Sequence, residues 1–309
     1  MPSFAAKVTR FGFSTLGRVS PELASHLALA LFCRTPPKRP NAAKARQSFA
    51  DGARKLSTAE KLAVMVGGAK VGVHRIGATR CSAPRVLVGH GWGSRAEYLA
   101  DLAMGLREAG AEVFILDLPG HGRSSGRRLD MRMAAEAMAE VQARFGPFDA
   151  AVGHSFGGAA LMAAAGGSFP GVPAFAAPRL AVIGSPSRIE DVFDGFVTMA
   201  GLTPKTARAL VTRTERRVGC PVEALDGVAI AGRLARPLLV VHAEDDKEVG
   251  ADQAKRYLGV SHHIRHHWAN GQGHRRIVSA PEVVATVANF LVGDGLAEGT
   301  VRLRAASSV

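Results

Sequence analysis

Short apolar stretches alternate with amphipathic helical patterns through most of this chain. Stretches such as RVLVGHG (85–91), RLAVIGS (179–185) and PLLVVHAEDD (237–246) are nearly continuous in apolar residues, whereas SRAEYLADLAMGLREAG (94–110) has helical spacing. Strands without polar alternation are buried on both faces, which is typical of a parallel sheet between two layers of helices. We therefore predict an α/β fold with a doubly wound, mostly parallel sheet.

Two segments depart from this alternation. Residues 1–60 have helical patterns with a proline-rich break, RTPPKRPNAAKARQ, and we predict an N-terminal helical extension that packs on the main domain or links it to something else. From about residue 62, AVMVGGAKVGVHRIG predicts a hairpin around Gly67-Gly68, which opens a main domain assigned to residues 61–309. Residues 186–236 form an unusually long connection between two strands, and we predict a small helical cap there; a peripheral insert without substrate contact is the alternative.

The chain of 309 residues is strongly basic, with a formal net charge of +13 at pH 7. Such an excess of positive charge is compatible with binding to nucleic acid, to an anionic membrane surface or to acidic substrates. The basic residues form no single block, however, and no zinc-finger spacing or aromatic RNA-binding strand is present, so we expect no nucleic-acid partner. We interpret the charge as scattered surface arginine; a nucleic-acid or membrane-surface protein would show salt-dependent binding instead.

The cysteines and the apolar runs indicate the cellular location of the protein and whether it spans a membrane. Cys33, Cys81 and Cys220 lie far apart and form no CxxC pair, which favours a reducing environment. The stretch LASHLALALFC (23–33) is shorter than the roughly 18 residues of a membrane helix and contains His26. We therefore expect a cytoplasmic protein without an integral membrane segment.

The stretch DAAVGHSFGGAA contains the pattern G-x-S-x-G at Gly153–Gly157, between a predicted strand and a predicted helix. In this context the pattern is typical of a nucleophile elbow, a strained turn that exposes a serine hydroxyl at a helix N-terminus. The glycines allow the strand and the helix to approach closely. We predict that Ser155 is a nucleophile; a simple glycine-rich turn is the alternative.

A serine nucleophile needs a base, and the base needs an acid that orients it. In this architecture the order along the chain is serine, acid, histidine. Three acids, Glu244 to Asp246, end a predicted strand, and His274 lies in the glycine-rich stretch ANGQGHRRIV. Asp246 and His274 fit the required order, and Asp245 is the alternative acid.

Acyl transfer also needs donors for the developing oxyanion. We expect one from the backbone N–H of Phe156, which follows the nucleophile, and one from the backbone N–H of Trp92 in the loop GHGWGS (89–94). The alternative for Trp92 is a pocket wall without a donor role. The histidine-rich HHIRHHW (262–268) resembles a metal-binding tract, but alternate strand residues face opposite ways, so we interpret it as the last strand and predict no metal site.

Five stretches in this order, HGWGS, DLPGHGRSSG, GHSFGG, HAEDDKEV and GQGHRRIV, make the chain resemble the α/β-hydrolase superfamily, as a serine esterase or lipase-like member. The resemblance covers about residues 62–292 and excludes 1–60. It implies the α/β-hydrolase fold, an oxyanion donor at Trp92, and the acid at Asp246, three residues before the apolar Val249. It implies no metal and no organic cofactor.

The resulting hypothesis is a serine hydrolase that cleaves small to medium carboxylic esters through an acyl-enzyme. Thioesterases, lactonases, amidases, C–C bond hydrolases and acyltransferases use the same residues, because the cap and the pocket set the substrate. A non-catalytic binding protein on this fold would lack a member of the triad, and none is missing from this sequence.

Overall fold

The computed structural model describes residues 4–40, 42–78 and 82–293. Two assignments from the sequence fall outside these residues: Cys81, and positions 294–309 at the end of the predicted main domain. In the described part of the chain, no helix combines the length and the apolar character that crossing a membrane requires.

A single eight-stranded sheet runs through the centre of the molecule. Its strands are β1 (Glu60–Val66), β2 (Ala69–Ile76), β3 (Arg85–Gly89), β4 (Glu112–Leu116), β5 (Ala150–His154), β6 (Arg179–Ile183), β7 (Leu238–His242) and β8 (Ile264–Trp268). They lie in the order β1-β2-β4-β3-β5-β6-β7-β8. β2 is antiparallel to β1 and β4, and all other neighbours are parallel. The prediction of a mostly parallel sheet that opens with a hairpin is confirmed.

Helices cover both faces of the sheet. The α-helices are α1 (Phe4–Val19), α2 (Pro21–Phe32), α3 (Ala43–Lys55), α4 (Ala100–Glu108), α5 (Met131–Phe145), α6 (Phe156–Ala165), α7 (Ile189–Ala200), α8 (Pro204–Val218), α9 (Gly227–Leu234), α10 (Asp252–Lys255), α11 (Gly273–Arg276) and α12 (Pro281–Val292). On β3, Leu87 packs in one core with α5 and α6, whereas Val86 and Val88 pack in a second core with α4 and α12. Neighbouring strand residues are thus buried on opposite faces, which explains the continuous apolar runs.

The segment before the sheet is helical and packs on two different parts of the molecule. Helices α1 and α2 contact α7 and α8, while α3 packs against α4 and the 3-10 helix Ala96–Leu99. Of the helices between β6 and β7, α9 packs on α6 beside the sheet. Helices α1 and α2 therefore pack mainly on α7 and α8 rather than on the sheet. The division into an extension, a hydrolase domain and a cap over 186–236 stays a prediction.

Candidate active site

Ser155 lies at the sharp turn between β5 and α6. Its backbone has a φ of 53° and a ψ of −126°, a left-handed region that an L-residue with a side chain occupies only at an energetic cost. The surrounding structure holds it there, because the Ser155 N–H donates to Ile183 O at 2.9 Å and Ser185 Oγ donates to Ser155 O at 2.9 Å. The hydroxyl is only partly buried, so the turn presents it to the pocket described below.

The glycines around Ser155 are required by close backbone contacts. A Cβ at Gly153 would lie 2.4 Å from Gly157 O, and a Cβ at Gly157 would lie 2.4 Å from His90 O. Real Cβ atoms do not approach backbone atoms so closely, so β5, α6 and the loop after β3 can meet only where side chains are missing. The spacing of glycines in the sequence therefore reports the packing that creates the turn.

Ser155, His274 and Asp246 lie in one hydrogen-bonded chain. His274 Nδ1 donates to Asp246 Oδ2 at 2.7 Å, and His274 Nε2 lies 3.0 Å from Ser155 Oγ. With its proton on Nδ1, the imidazole presents a free Nε2 lone pair to the serine hydroxyl. The three residues come from the ends of β5 and β7 and from the start of α11, so the sheet brings together groups that are distant in the sequence.

Asp246 is held as a carboxylate. Its Oδ1 accepts the backbone N–H groups of Glu248 at 2.8 Å and Val249 at 2.9 Å, which leaves Oδ2 for His274. Burial by itself raises the pKa of Asp246, but the hydrogen bonds from His274, Val249 and Glu248 outweigh it and lower that pKa below its ordinary value. The carboxylate is therefore ionised throughout the neutral range.

The two neighbouring acids have other partners. Asp245 Oδ1 accepts the backbone N–H of Gly271 at 2.8 Å, and Glu244 Oε2 accepts from Asn270 Nδ2 at 3.0 Å. Both side chains are exposed and tie the loop after β7 to the loop after β8. Of the three consecutive acids, Asp246 is the one in contact with His274.

The two predicted oxyanion donors flank Ser155. Phe156 is the first residue of α6, and the N–H groups at the start of a helix have no partner within the helix. Gly91 lies against the nucleophile, since a Cβ there would be 2.8 Å from Ser155 Cβ, and Trp92 is the next residue. The Trp92 ring also packs edge-on to Phe156, with 5.5 Å between ring centroids. Trp92 thus contributes to the pocket wall, and its donor role stays a prediction.

Neutral histidines shape the loops beneath the site. His90 Nε2 accepts the Leu118 N–H at 3.0 Å, and His121 Nε2 accepts the Gly93 N–H at 3.0 Å. Burial lowers the pKa of His121 to about 4 and that of His154 to about 3. His154 Nε2 donates to the carbonyl oxygen of His274 at 2.9 Å, a contact that supports the α11 backbone and that nothing in the sequence indicated.

Asp117 joins the loops after β3 and β4 from a fully buried position. Its Oδ1 accepts the Ala96 N–H at 2.9 Å, and its Oδ2 accepts the Arg123 N–H at 2.8 Å and faces His74 Nε2 at 3.3 Å. Burial raises the pKa of Asp117, but the hydrogen bonds from His74 Nε2 and the Arg123 N–H hold it well below its ordinary value. The carboxylate therefore stabilises the folded state.

We expect Asp117→Asn to lower the free energy of unfolding at pH 7 by about 3–5 kcal/mol, because an amide leaves N–H donors facing an NH₂ group. A group whose pKa falls on folding stabilises the protein above its unfolded pKa, near 3.9, and loses that effect as the pH falls toward the folded pKa. The difference in the free energy of unfolding between the wild type and the variant should therefore shrink below about pH 4. Urea unfolding at several pH values measures it.

The control for Asp117→Asn is Asp101→Asn. Asp101 pairs with Lys55 at the surface, where both side chains are nearly half exposed, so this change should cost less than about 0.5 kcal/mol. Equal stabilities of the Asp117 and Asp101 variants would contradict the role of Asp117.

Ser155 opens into an apolar pocket of about 830 Å³. Its lining comes from the loop with Trp92, from α7 and, outside the resemblance to known hydrolases, from α1 and α2. The apolar lining residues of α2, α7 and α8 are Leu31, Phe32, Ile189, Val192, Phe193, Phe196, Met199, Ala200 and Val218, with Cys33 directly after α2, and α1 contributes Thr9. Sequence reasoning missed these residues, because an amphipathic helix shows that it has an apolar face but not what that face covers.

The remaining histidines do not assemble a metal site. In the described residues, no group of three or more His, Cys, Asp or Glu side chains is placed to hold a metal ion. The histidine-rich stretch forms β8, paired in parallel with β7 from Ile264 to Trp268. His242, inside β7, donates from Nε2 to Val249 O at 3.0 Å and so supports the loop that positions Asp246.

Comparisons with known proteins identify the family and the fold of the chain. The sequence model of the Alpha/beta hydrolase family matches residues 81–287. A solved esterase domain from a Rhodothermus marinus protein is 20% identical, with a TM-score of 0.55, over 77% of this chain and 98% of that one. A solved membrane phospholipase A, described as a bacterial virulence factor, is 18% identical, with a TM-score of 0.57, over 93% of this chain and 97% of that one. The thioesterase domain from the curacin biosynthetic pathway is 16% identical, with a TM-score of 0.51, over 74% of this chain and 98% of that one.

These identities show a shared fold. The search of curated proteins finds no match. The site thus combines a serine at a strained turn, a histidine with a free Nε2 lone pair, a buried carboxylate behind it and an apolar pocket in front of it. Such a set can activate a hydroxyl for attack on a carbonyl carbon.

Proposed function

Because the chain belongs to the alpha/beta hydrolase family, we propose that it is a serine hydrolase that cleaves carboxylic esters through an acyl-enzyme. The observation that carries this proposal is the hydrogen-bonded chain from Ser155 Oγ through His274 to Asp246, with contacts of 3.0 and 2.7 Å. Contacts of this length allow proton transfer without rearrangement of the side chains.

The geometry supports the following acylation step. Ser155 Oγ attacks the ester carbonyl carbon, and its proton passes to His274 Nε2. The negative charge on the carbonyl oxygen is stabilised by the backbone N–H groups of Phe156 and Trp92, and one such donor contributes about 10²–10³ in rate. When the C–O bond to the alcohol breaks, the leaving oxygen takes the proton from His274 Nε2.

Deacylation uses the same groups in reverse. A water molecule gives a proton to His274 Nε2 and attacks the acyl carbon, and the bond between the acyl carbon and Ser155 Oγ breaks as the proton passes from His274 Nε2 to Ser155 Oγ. Asp246 keeps its negative charge in both steps and stabilises the imidazolium that forms twice in each cycle. The products are a carboxylic acid and an alcohol.

A substrate panel with active-site labelling tests this proposal. We expect the purified protein to hydrolyse p-nitrophenyl esters, and a fluorophosphonate to modify Ser155, as located by peptide mass spectrometry. Thioesters and lactones in the same panel decide between an esterase and the thioesterase or lactonase alternatives, which use the same triad. A protein that neither turns over any of these substrates nor reacts with the fluorophosphonate would contradict the proposal.

A cytoplasmic location is part of this proposal and rests on the cysteines. Cys33 and Cys220 are both free and buried. Burial raises the pKa of the Cys33 thiol to about 11, so the thiol stays protonated and unreactive at neutral pH.

A further inference from the structure

Helices α1 and α2 border the same pocket as Ser155, although they lie before the family-matched segment 81–287. We propose that these helices form one wall of a site for a long hydrocarbon chain, so that the substrate is an ester with a long alkyl or acyl chain. This inference rests on the proposed esterase function and replaces the expectation of a small to medium substrate. It makes the N-terminal segment a determinant of specificity.

Helix α1 packs against the start of α8. A Cβ at Gly17 would lie 2.7 Å from Thr206 Oγ1, so the two helices touch where α1 has no side chain. Helix α2 continues this contact along α8, where Arg213 Nε donates to the buried Ser25 Oγ at 3.2 Å. Specific contacts of this kind hold both helices at one position against the helices between β6 and β7.

The C-terminal end of α2 is fixed from two sides. The Phe32 ring stacks on Phe193 of α7, with 4.9 Å between centroids, and meets Phe196 edge-on at 5.0 Å. Just beyond, Cys33 O accepts the Leu129 N–H at 2.9 Å, and the Thr35 N–H donates to Arg127 O at 3.1 Å. The α2 wall is therefore anchored both to α7 and to the loop that precedes α5.

The lining has the chemistry of a hydrocarbon site. The apolar side chains of Phe32 from α2 and of Phe193 and Phe196 from α7 face it, whereas the charged lining residues Arg34, Asp191, Glu248 and Asp252 are exposed to solvent. The buried Asp130 is already compensated, because its Oδ2 accepts from Arg217 Nε at 2.7 Å and its Oδ1 accepts the Met133 N–H at 2.9 Å. The charged groups of this lining are therefore either exposed to water or already paired, which leaves the buried part of the lining apolar.

The volume also favours a long chain. At about 830 Å³, the pocket lies toward the upper end of the 300–1,000 Å³ that is usual for ligand sites, far more than an acetyl group fills. Each methylene removed from water strengthens binding about fourfold. We therefore expect kcat/KM to rise with chain length from acetate to decanoate, or along a matching series of alkyl acetates if the alcohol chain occupies the pocket.

Leu31→Glu tests the α2 wall, with Leu27→Glu as its matched control. Leu31 borders the pocket and is 37% exposed, so a carboxylate there is compatible with folding. Leu27 lies one turn earlier on α2 and is 49% exposed to solvent. We expect Leu31→Glu to lower the ratio of kcat/KM for the decanoate ester to kcat/KM for the acetate ester about tenfold or more, because a charge beside a hydrocarbon chain must be desolvated. Leu27→Glu should keep the wild-type profile.

A binding assay separates this inference from the proposed activity. Calorimetry on the Ser155→Ala protein needs no turnover, and 1-decanol should bind at least about a hundredfold more tightly than 1-butanol. Leu31→Glu in that background should remove most of this preference. If esters are not hydrolysed but this binding pattern holds, the pocket assignment survives and the esterase proposal fails.

Three results would overturn the pocket assignment alone. These are acetate as the best substrate of both ester series, decanol binding no tighter than butanol, or equal effects of the Leu31 and Leu27 substitutions. Phe32→Ala is a second test of the α2 wall, since it removes the ring that stacks on Phe193. It should reduce decanoate turnover more than acetate turnover, and an equal loss for both esters would assign Phe32 a structural role only.

Discussion

Replacing Ser155 by alanine is expected to lower kcat for ester hydrolysis by about 10⁶. The change removes the only atom that forms the covalent bond, while His274, Asp246 and the backbone donors keep their positions. The residual rate should stay about 10³–10⁴ above that in water, because binding and oxyanion stabilisation do not depend on the hydroxyl. Initial rates with a chromogenic ester measure both quantities.

The fold of the Ser155→Ala variant should be unchanged. Alanine keeps the same backbone and the same strained φ of 53°, and the Ser155 carbonyl still accepts from Ser185 Oγ. We expect a Tm within about 2 °C of wild type. Ser125→Ala is the control, because Ser125 is an exposed serine that donates only to Lys70 O at 3.1 Å. Near-normal turnover by the Ser155 variant would refute the assignment of the nucleophile.

The fold and the order of the site residues could be predicted because both follow from the pattern of strands along the sequence. In a parallel sheet every strand ends at the same edge, so Ser155 after β5, Asp246 after β7 and His274 after β8 are ordered by their strands alone. The glycines of the elbow carry further information, since each marks a contact at which no side chain fits.

The pocket could not be predicted in the same way. Phe32 and Phe193 stack on each other, but one lies before the sheet and the other between β6 and β7. Their contact depends on how α2 packs against α7, which helical periodicity does not specify. The bond from His154 to the His274 carbonyl depends likewise on tertiary packing, because a buried histidine in a strand has many candidate partners.

Asp246→Asn is expected to lower kcat by about 10⁴. In the wild type, Asp246 Oδ1 accepts two backbone N–H groups, from Glu248 and Val249, and Oδ2 accepts from His274 Nδ1. An asparagine has only one oxygen for these three donors. Two fixed backbone donors outweigh one side chain that can change its tautomer, so the amide oxygen should face the backbone and the NH₂ group should face His274.

That orientation reverses the tautomer of His274. An NH₂ group donates to Nδ1, which places the imidazole proton on Nε2, where the base must accept the proton of Ser155. The loss should therefore appear in kcat, with KM and the circular dichroism spectrum little changed. Fluorophosphonate labelling of Ser155 should slow in parallel, because it needs the same proton transfer.

Asp245→Asn is the matched control, since it makes the same chemical change at the adjacent position. Among the described residues, Asp245 accepts only the Gly271 N–H, at 2.8 Å, and it is exposed, so an asparagine oxygen can replace it and kcat should fall less than about tenfold. Steady-state rates of the two variants with one ester decide the assignment. If Asp245→Asn is the more damaging change while both proteins stay folded, the orienting acid is Asp245, and the contact between Asp246 and His274 serves structure alone.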